Sequence, residues 1–381
     1  MPASLLGCES TLNSPPRQPK SNSAPTRSGR APTRVTLPAD PPSFRKGDAR
    51  RLSRVRLARE SVDLVVTSPP YWRRRDYEHE SQLGQERLPD DYAVSLVDTL
   101  NGWVPYLRPH ASVFLNIGDT YVNGSLACIP SRVELLALKS GWKLVNRIAW
   151  VKAIGVPQPS RRRLASRHEI VLHLARCTNF YFDLFGLNEE LGNTANPGDV
   201  WQPHPTRNKS EHIAPFPPDL ARYATLLACP PHVCTKCGRP YERVLGPSQP
   251  DPTRKQAERA LELFEQHGLT SAHRAAIRAV GISDAGKGKR IQNGAGRNSV
   301  QVMKLAAEAK AALGGYFREF TFGPRKHLRW SMCKCRVVAQ SGTVLDPFAG
   351  TGTTLYAAHK LGRNAIGVDL TPPRKGWPIS M

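Results

Sequence analysis

The chain has 381 residues, with 54 lysines and arginines against 31 acids and a formal net charge of +23. That length suffices for one large α/β domain with an inserted module, and so large an excess of positive charge points to a polyanionic partner, because neutralising phosphates releases condensed counterions. No apolar run approaches the roughly 18 residues of a membrane span and no apolar signal core opens the chain, so a cytoplasmic protein is expected, whose eight cysteines serve as thiols or metal ligands rather than disulfides.

Residues 1 to about 46 are rich in proline, serine and arginine and carry only Glu9 and Asp40 as acids. Such a segment buries too little apolar surface to offset its ordering entropy and is expected to be a disordered basic tail. Order is expected from Gly47 onward. Residues 62–66 form a short β-branched run that Ser68-Pro69-Pro70 stops abruptly, the pattern of a buried strand ending in a rigid loop. Residues 90–107 fit an amphipathic helix with Tyr92, Leu96, Leu100 and Trp103 on one side. Residues 112–117 read as a second buried strand with Gly118-Asp119 at its carboxyl end. A helix at 131–139 and strands at 144–151 and 168–174 follow.

Residues 143–176 hold eight basic side chains against the single acid Glu169, and Arg161, Arg162, Arg163 and Arg167 crowd one exposed loop. This cluster stands beside a strand end, where α/β sheets bind ligands. Residues 217–228 read as a helix introduced by Pro217-Pro218-Asp219. The composition then shifts, with seventeen basic residues against eight acids over 238–331. A helical stretch at about 254–280, a Gly/Lys-rich loop and another helix mark this segment as an insertion rather than part of a sheet. The chain closes with a strand at 343–346, a loop, a helix to about 361 and a strand at 364–369, a complete βαβ unit. Strands alternating with helices predict a doubly wound, mostly parallel sheet.

The loop of that unit is Asp346-Pro347-Phe348-Ala349-Gly350-Thr351-Gly352-Thr353-Thr354. Its glycines let a ligand approach the backbone, and the helix N-terminus offers free N–H groups. Asp369, 23 residues after Asp346, can accept hydrogen bonds from both hydroxyls of a ribose. A dinucleotide fingerprint needs a third glycine where Leu355 stands. An acid opening the loop repels pyrophosphate but suits a cofactor carrying an ammonium and a sulfonium. Taken alone, the segment also fits a plain glycine-rich turn.

Thr67-Ser68-Pro69-Pro70-Tyr71-Trp72 is the second signal. The lone pair of an exocyclic amine is delocalised into its ring, so the amine is a poor nucleophile. Two acceptors that hold both amino hydrogens draw the nitrogen towards tetrahedral geometry and restore the lone pair. Ser68 Oγ and the Pro69 carbonyl can supply them, and Pro69-Pro70 fixes the loop in advance. Tyr71 offers a face for stacking on a base taken out of the duplex. Alone, Ser-Pro-Pro-Tyr is also an ordinary stop after a strand; the two motifs together, each at a strand end, weigh against both bland readings.

These motifs resemble the signature of the DNA amino-methyltransferases, the N4-cytosine and N6-adenine enzymes. There the catalytic motif is Asp, Asn or Ser followed by Pro-Pro and an aromatic, and the cofactor motif is Asp-Pro-Phe-x-Gly-x-Gly-Thr. The catalytic motif comes first here, which resembles the circularly permuted β group. Gly47-Asp48-Ala49, Trp150-Val151-Lys152, His168-Glu169 and the segment 212–217 resemble further landmarks, so the likeness runs from about 47 to 370. It implies a Rossmann-like S-adenosylmethionine-dependent methyltransferase fold with a catalytic half (47–237), an inserted basic segment (238–332) and a cofactor-binding half (333–381). Ser68, Pro69, Pro70 and Tyr71 would hold the target base. Asp346, Phe348, Gly350, Gly352, Thr353 and Asp369 would hold S-adenosylmethionine, with Phe216 as a further pocket residue. The implied partners are double-stranded DNA with a flipped base and a cognate restriction endonuclease. The arginine loop and the insertion would contact phosphate and choose the sequence.

The serine form of the motif is closest to the N4-cytosine members, although N6-adenine methylation stays open. RNA or protein-amide methylation, and a catalytically dead methyltransferase fold acting as a zinc-bearing DNA-binding protein, are the other readings. C5-cytosine methylation classically needs a Pro-Cys pair, which the chain lacks. Cys234-x-x-Cys237 and Cys333-x-Cys335 bracket the insertion, with 95 residues between the pairs. Two thiolate pairs can build a tetrahedral structural zinc site; four unrelated reduced cysteines are the alternative. His168, at a strand start, reads as structural.

Overall fold

The computed structural model describes residues 36–74, 76, 79–80, 82–152, 162–193, 195–202, 217–281 and 298–372. The chain falls into two compact units, Met1–Glu242 with Met332–Met381, and Arg243–Ser331.

The first unit runs through β1 (Ser43–Lys46), β2 (Val62–Thr67), α1 (Pro89–Trp103), β3 (Leu107–Ile117), a small hairpin of β4 (Tyr121–Val122) and β5 (Ser125–Leu126), and α2 (Ile129–Lys139). It continues with β6 (Lys143–Val151), β7 (His168–Ala175), α3 (Leu184–Leu191), β8 (Val200–Trp201), α4 (Pro218–Ala228) and β9 (Val233–Cys234). The second unit comprises β10 (Arg243–Pro247), α5 (Lys255–Gln266), α6 (Ser271–Val280), α7 (Val300–Leu313), α8 (Phe317–Thr321) and β11 (Arg325–Trp330). The chain then re-enters the first unit as β12 (Ala339–Gln340), β13 (Thr343–Asp346), α9 (Thr353–Lys360) and β14 (Asn364–Asp369).

Eight strands form the main sheet in the order β1-β14-β13-β2-β3-β7-β6-β8. The first five are mutually parallel, whereas β7 is antiparallel to both its neighbours. Every residue of β2 is buried, as a central strand covered on both faces requires. Val62 and Val65 pack into a core with Tyr92, Leu96, Leu100 and Trp103 of α1. Leu64 and Val66 pack oppositely, with Ala224 of α4 and Leu355 of α9. Helices therefore cover both faces, the doubly wound arrangement.

The chain path sets where loops gather. From β2 the chain passes through α1 to β3 on one side, and from β13 through α9 to β14 on the other. The switch point thus falls between the neighbours β13 and β2, and a crevice opens there at the carboxyl ends of the strands.

Several boundaries differ from those read in the sequence. The helix expected to reach 107 stops at Trp103, and Val104–Tyr106 tightens into a 3-10 turn before β3; Pro105 lacks the N–H that a continuing helix needs. The helical stretch at 254–280 is two helices separated at Gly268, which adopts a left-handed φ of +59°. The part of the expected 1–46 tail that is described, residues 36–46, is not disordered: β1 pairs with β14 and Phe44 packs on the second core; residues 1–35 lie outside the described set. The insertion expected at 238–332 forms its own unit only from Arg243, because Tyr241 is buried and its N–H bonds to the His232 carbonyl.

Within the second unit, β10 and β11 pair antiparallel, and Phe264, Ile277, Leu313 and Phe320 form a small core. No helix among the described residues is long and apolar enough to cross a membrane.

Candidate active site

Both loops singled out in the sequence issue from the crevice. Ser68-Pro69-Pro70-Tyr71 follows the last residue of β2, and Pro347 to Gly352 follows the last residue of β13, its parallel neighbour. A buried hydrogen bond of 2.6 Å from Thr67 Oγ1 to Asp346 Oδ1 joins the two strand ends.

Asp346 Oδ1 also accepts from the Phe348 N–H at 3.1 Å, and Oδ2 accepts from Thr354 Oγ1 at 2.6 Å. The carboxylate therefore braces β2, the loop and the first turn of α9 from inside. Burial pushes its pKa up to about 6 from an ordinary value of 3.8, against the hydrogen bonds from Thr354, Thr67 and Phe348, which pull it down.

That displacement has a sign. A carboxyl held above its unfolded pKa contributes stability fully below about 4 and loses it as the pH rises through about 6. The stability of Asp346→Asn relative to the wild-type protein should accordingly move in the variant's favour by up to about 3 kcal/mol between pH 4 and pH 7. Urea denaturation across that range measures it; a pH-independent difference would mean that Asp346 titrates normally.

The rest of the loop is shaped by its glycines. Gly350 (φ +50°) and Gly352 (φ +85°) are both left-handed, and a Cβ at Gly350 would meet nothing within 4 Å. The backbone is therefore open to approach at that position. Asp369, half-buried at the end of β14, accepts from the Gly350 N–H at 2.8 Å and from the Thr371 N–H at 2.9 Å. A cleft of about 260 Å³ lined by Lys46, Gly47, Asp48, Arg51, Arg54, His79 and Leu370 adjoins it. Thr353 is buried at the first turn of α9, and its Oγ1 has no hydrogen-bond partner among the described residues. Phe348 turns inward, its ring edge-on to Trp103 at 6.3 Å. Phe216 and Arg161 lie outside the described residues.

Around Ser68 the structure assembles a polar network. Tyr71 Oη donates to Glu169 Oε2 at 2.6 Å. Asn116 Nδ2 donates to Tyr71 Oη at 2.7 Å and to Glu169 Oε2 at 3.0 Å. Lys152 Nζ pairs with Glu169 Oε1. Ser68 Oγ is held only by longer contacts, 3.3 Å to Tyr71 Oη and 3.5 Å to Asn116 Nδ2. Burial first, and the Glu169 charge second, raise the Tyr71 pKa well above its ordinary value, so the phenol stays a neutral donor. Its ring packs over Gly118, where a Cβ would come within 2.6 Å.

The two prolines are locked as well. Pro69 is buried, and Tyr92 Oη donates to the Pro70 carbonyl at 2.9 Å. Among the described residues the Pro69 carbonyl takes no hydrogen bond. Asn116 Oδ1 is buried, again without a partner among the described residues. An orphaned buried acceptor costs about 1–3 kcal/mol, and such atoms call for an explanation, a functional role among them. The serine hydroxyl, the Pro69 carbonyl and this amide oxygen are thus acceptors with capacity to spare around the end of β2.

Asn116, Lys152 and Glu169 were not among the site residues expected from sequence. Asn116 is the penultimate residue of β3, between Leu115 and Ile117, and Glu169 is 98 positions from Tyr71. The landmarks Trp150-Val151-Lys152 and His168-Glu169 were the sequence signal for Lys152 and Glu169, and Asn116 had none. Arg163 stacks over Tyr121 at 3.8 Å and Arg167 donates to the Lys152 carbonyl, which fixes part of the basic loop. Away from this crevice, the four thiols of Cys234, Cys237, Cys333 and Cys335 converge.

A family model described as DNA methylase, of the N6/N4 type, matches residues 62–232 and 324–374. The Type II methyltransferase M.SfiI of Streptomyces fimbriatus is 37% identical over 146 residues, 34% of this chain and 35% of its own length. M.SmaI of Serratia marcescens is 29% identical over 218 residues, 49% of this chain and 74% of its own. The chain thus spans about a third of the first relative and about three quarters of the second. Among solved structures, PvuII DNA methyltransferase (cytosine-N4-specific) superposes with a TM-score of 0.50 at 14% identity, covering 89% of this chain and 86% of that one, a likeness of fold.

Proposed function

Because the chain belongs to the N6/N4 DNA methylase family, we propose that it transfers a methyl group from S-adenosylmethionine to an exocyclic amine of DNA, with N4 of cytosine as the target. The observation that carries this reading is the meeting of the Ser68 loop and the glycine loop at the ends of two adjacent parallel strands.

The residues present fit the cofactor. Gly350 leaves backbone space, Thr353 Oγ1 at the start of α9 is a buried polar atom without a partner among the described residues, and Asp369 stands half-buried at the end of the next strand. Gly350, Gly352, Thr353 and Asp369 would hold it, and the anionic character of Asp346 and Asp369 suits its ammonium and sulfonium groups. When bound, the cofactor supplies an electrophilic methyl group. Phe348 acts through packing, since its ring is turned onto Trp103.

The chain's own contribution to the chemistry is to prepare the amine. Ser68 Oγ and the Pro69 carbonyl accept its two hydrogens, which localises the nitrogen lone pair. Glu169 fixes Tyr71 and Asn116 around them, so the acceptors are oriented before substrate arrives. No strong general base is required, because the methylated amine is acidic enough to lose its proton to solvent.

The serine in the catalytic motif supports cytosine over adenine, and the +23 charge supports nucleic acid over a protein amide. The arginine loop and the unit Arg243–Ser331, whose β11 carries Arg325, Lys326 and Arg329, would contact phosphate and select sequence. A partner endonuclease follows from the same reading, as for other Type II systems.

The test is nucleoside mass spectrometry of plasmid DNA from a methylation-free host expressing the protein. N4-methylcytosine is the expected product. N6-methyladenine would overturn the choice of base alone, and the absence of both, with an intact, folded protein, would overturn the enzyme reading.

A further inference from the structure

We infer that Cys234, Cys237, Cys333 and Cys335 hold one structural zinc ion, which clamps together the two segments through which the chain leaves and rejoins the first unit. The four Sγ atoms all lie within 4.8 Å of one another, and none of the four cysteines is in a disulfide. A tetrahedral tetrathiolate with Zn–S bonds of about 2.3 Å places its sulfurs roughly 3.8 Å apart. The set needs to contract by only about 1 Å to reach that geometry, within reach of small side-chain rotations.

The backbone of both pairs is already turned as thiolate knuckles are. After Cys237 the chain reverses at Gly238 (φ +67°), whose N–H bonds to the Cys234 carbonyl at 3.0 Å. After Cys335 it reverses at Arg336 (φ +52°). A left-handed non-glycine residue costs of order 1 kcal/mol or more and persists where its surroundings enforce it. The pairs are also held to each other. Cys234 lies opposite Ala339 in the β9–β12 ladder, and Thr235 Oγ1 donates to the Val338 carbonyl at 2.8 Å.

Packing alone does not explain the cluster. Cys234 is buried, but Cys237 is exposed and Cys333 and Cys335 are half-exposed, so three of the four thiols bury little apolar surface. Binding a divalent cation releases the four thiol protons to solvent and leaves a complex of net charge −2. Lys236, Arg239, Lys334 and Arg336 are interleaved with the cysteines and suit that charge. Soft thiolate ligands in a tetrahedron select zinc or iron, and four protein ligands leave no open position for catalysis.

The clamp has a mechanical consequence for the first unit. From β12 the chain reaches Gly342, whose N–H bonds to the Pro230 carbonyl at 3.1 Å, and where a Cβ would stand 2.5 Å from that same oxygen. β13 begins at the next residue. The metal therefore fixes the approach to the strand that ends in Asp346.

The test uses the full chain purified without chelator from zinc-supplemented medium. Elemental analysis should give one zinc per chain, released by a mercurial thiol reagent. Exchange with cobalt(II) should give the thiolate charge-transfer and d–d bands of a tetrahedral S4 site. Removing the metal should lower Tm, and zinc but not magnesium should restore it. Cys335→Ser should abolish stoichiometric binding; should that variant fail to fold, the wild-type metal content and cobalt spectrum still decide. Substoichiometric zinc with no uptake by the reduced protein, one equivalent of iron, or disulfides within the set in freshly purified protein would each overturn the assignment.

Discussion

Ser68→Ala is expected to lower the rate of methyl transfer by about 10²–10³-fold, the usual cost of removing one preorganised hydrogen-bonding group from a reaction centre. Thermal stability should hardly move, because Ser68 is half-buried and its side-chain hydrogen bonds among the described residues are long ones, 3.3 Å to Tyr71 and 3.5 Å to Asn116. Tyr71, Asn116 and Glu169 keep their shorter contacts without it. Cofactor and DNA affinity should stay near those of the wild-type protein, since neither the glycine loop nor the basic segments depend on this hydroxyl. Single-turnover transfer of labelled methyl, with equilibrium binding on the same preparation, separates the two quantities. Comparable activity in the variant would remove Ser68 from the reaction. A loss in binding equal to the loss in rate would make it a substrate-holding group instead.

Asp63→Ala should cost about 3–5 kcal/mol of folding stability, the range for removing one partner of a buried ion pair. Asp63 is fully buried in β2. Its Oδ1 accepts from His110 Nε2 at 2.7 Å and stands 3.6 Å from Arg108 Nε, while Oδ2 accepts from the Thr343 N–H at 2.8 Å. One carboxylate thus ties together the amino-terminal ends of β2, β3 and β13, opposite the candidate site. Without it the Thr343 N–H loses its acceptor, and the nearly buried Arg108 guanidinium loses its counter-charge and keeps the Gly238 carbonyl at 3.0 Å. Against a total stability of order 5–15 kcal/mol, such a loss brings the protein close to its unfolding threshold. Urea denaturation of the variant measures it, and Asp63→Asn, which keeps an acceptor for Thr343, should lose less. A loss below about 1 kcal/mol would mean that water replaces the carboxylate readily.

These two residues illustrate how unevenly the sequence displays what matters. Ser68 is conspicuous, since a serine between a β-branched run and two prolines marks a rigid turn at a strand end. Asp63 is equally important to the fold and hidden, one acid inside an apolar run. Its partners come from residues 108, 110 and 343, and nothing in local pattern connects them. Asn116 and Glu169 belong with Asp63 in this respect. Asn116 lies between Leu115 and Ile117 and Glu169 between His168 and Ile170, and only the antiparallel pairing of β3 with β7 sets both beside Tyr71.

Asp346 shows a subtler gap. From the sequence its charge reads as a partner for a cationic cofactor. In the fold both of its oxygens are engaged with Thr67, Thr354 and the Phe348 N–H. Its field still reaches the loop, but its hydrogen bonds hold protein to protein. Phe348, similarly, belongs to the core beside Trp103 as well as to the loop.

The sequence by itself determined the class of fold, the two loops and the cysteine pairs. These are local properties: a buried strand is an apolar run, a turn needs proline or glycine, and a thiolate knuckle needs two cysteines a few residues apart. Tertiary structure alone decided which of those local features face each other. The placement of β13 beside β2 brought two motifs more than 270 residues apart to one crevice, and the pairing of β9 with β12 brought the cysteine pairs within 4.8 Å. It also decided which polar side chains became buried partners, because a hydrogen bond forms between neighbours in space, and contacts across a sheet leave no mark in the spacing of residues along the chain.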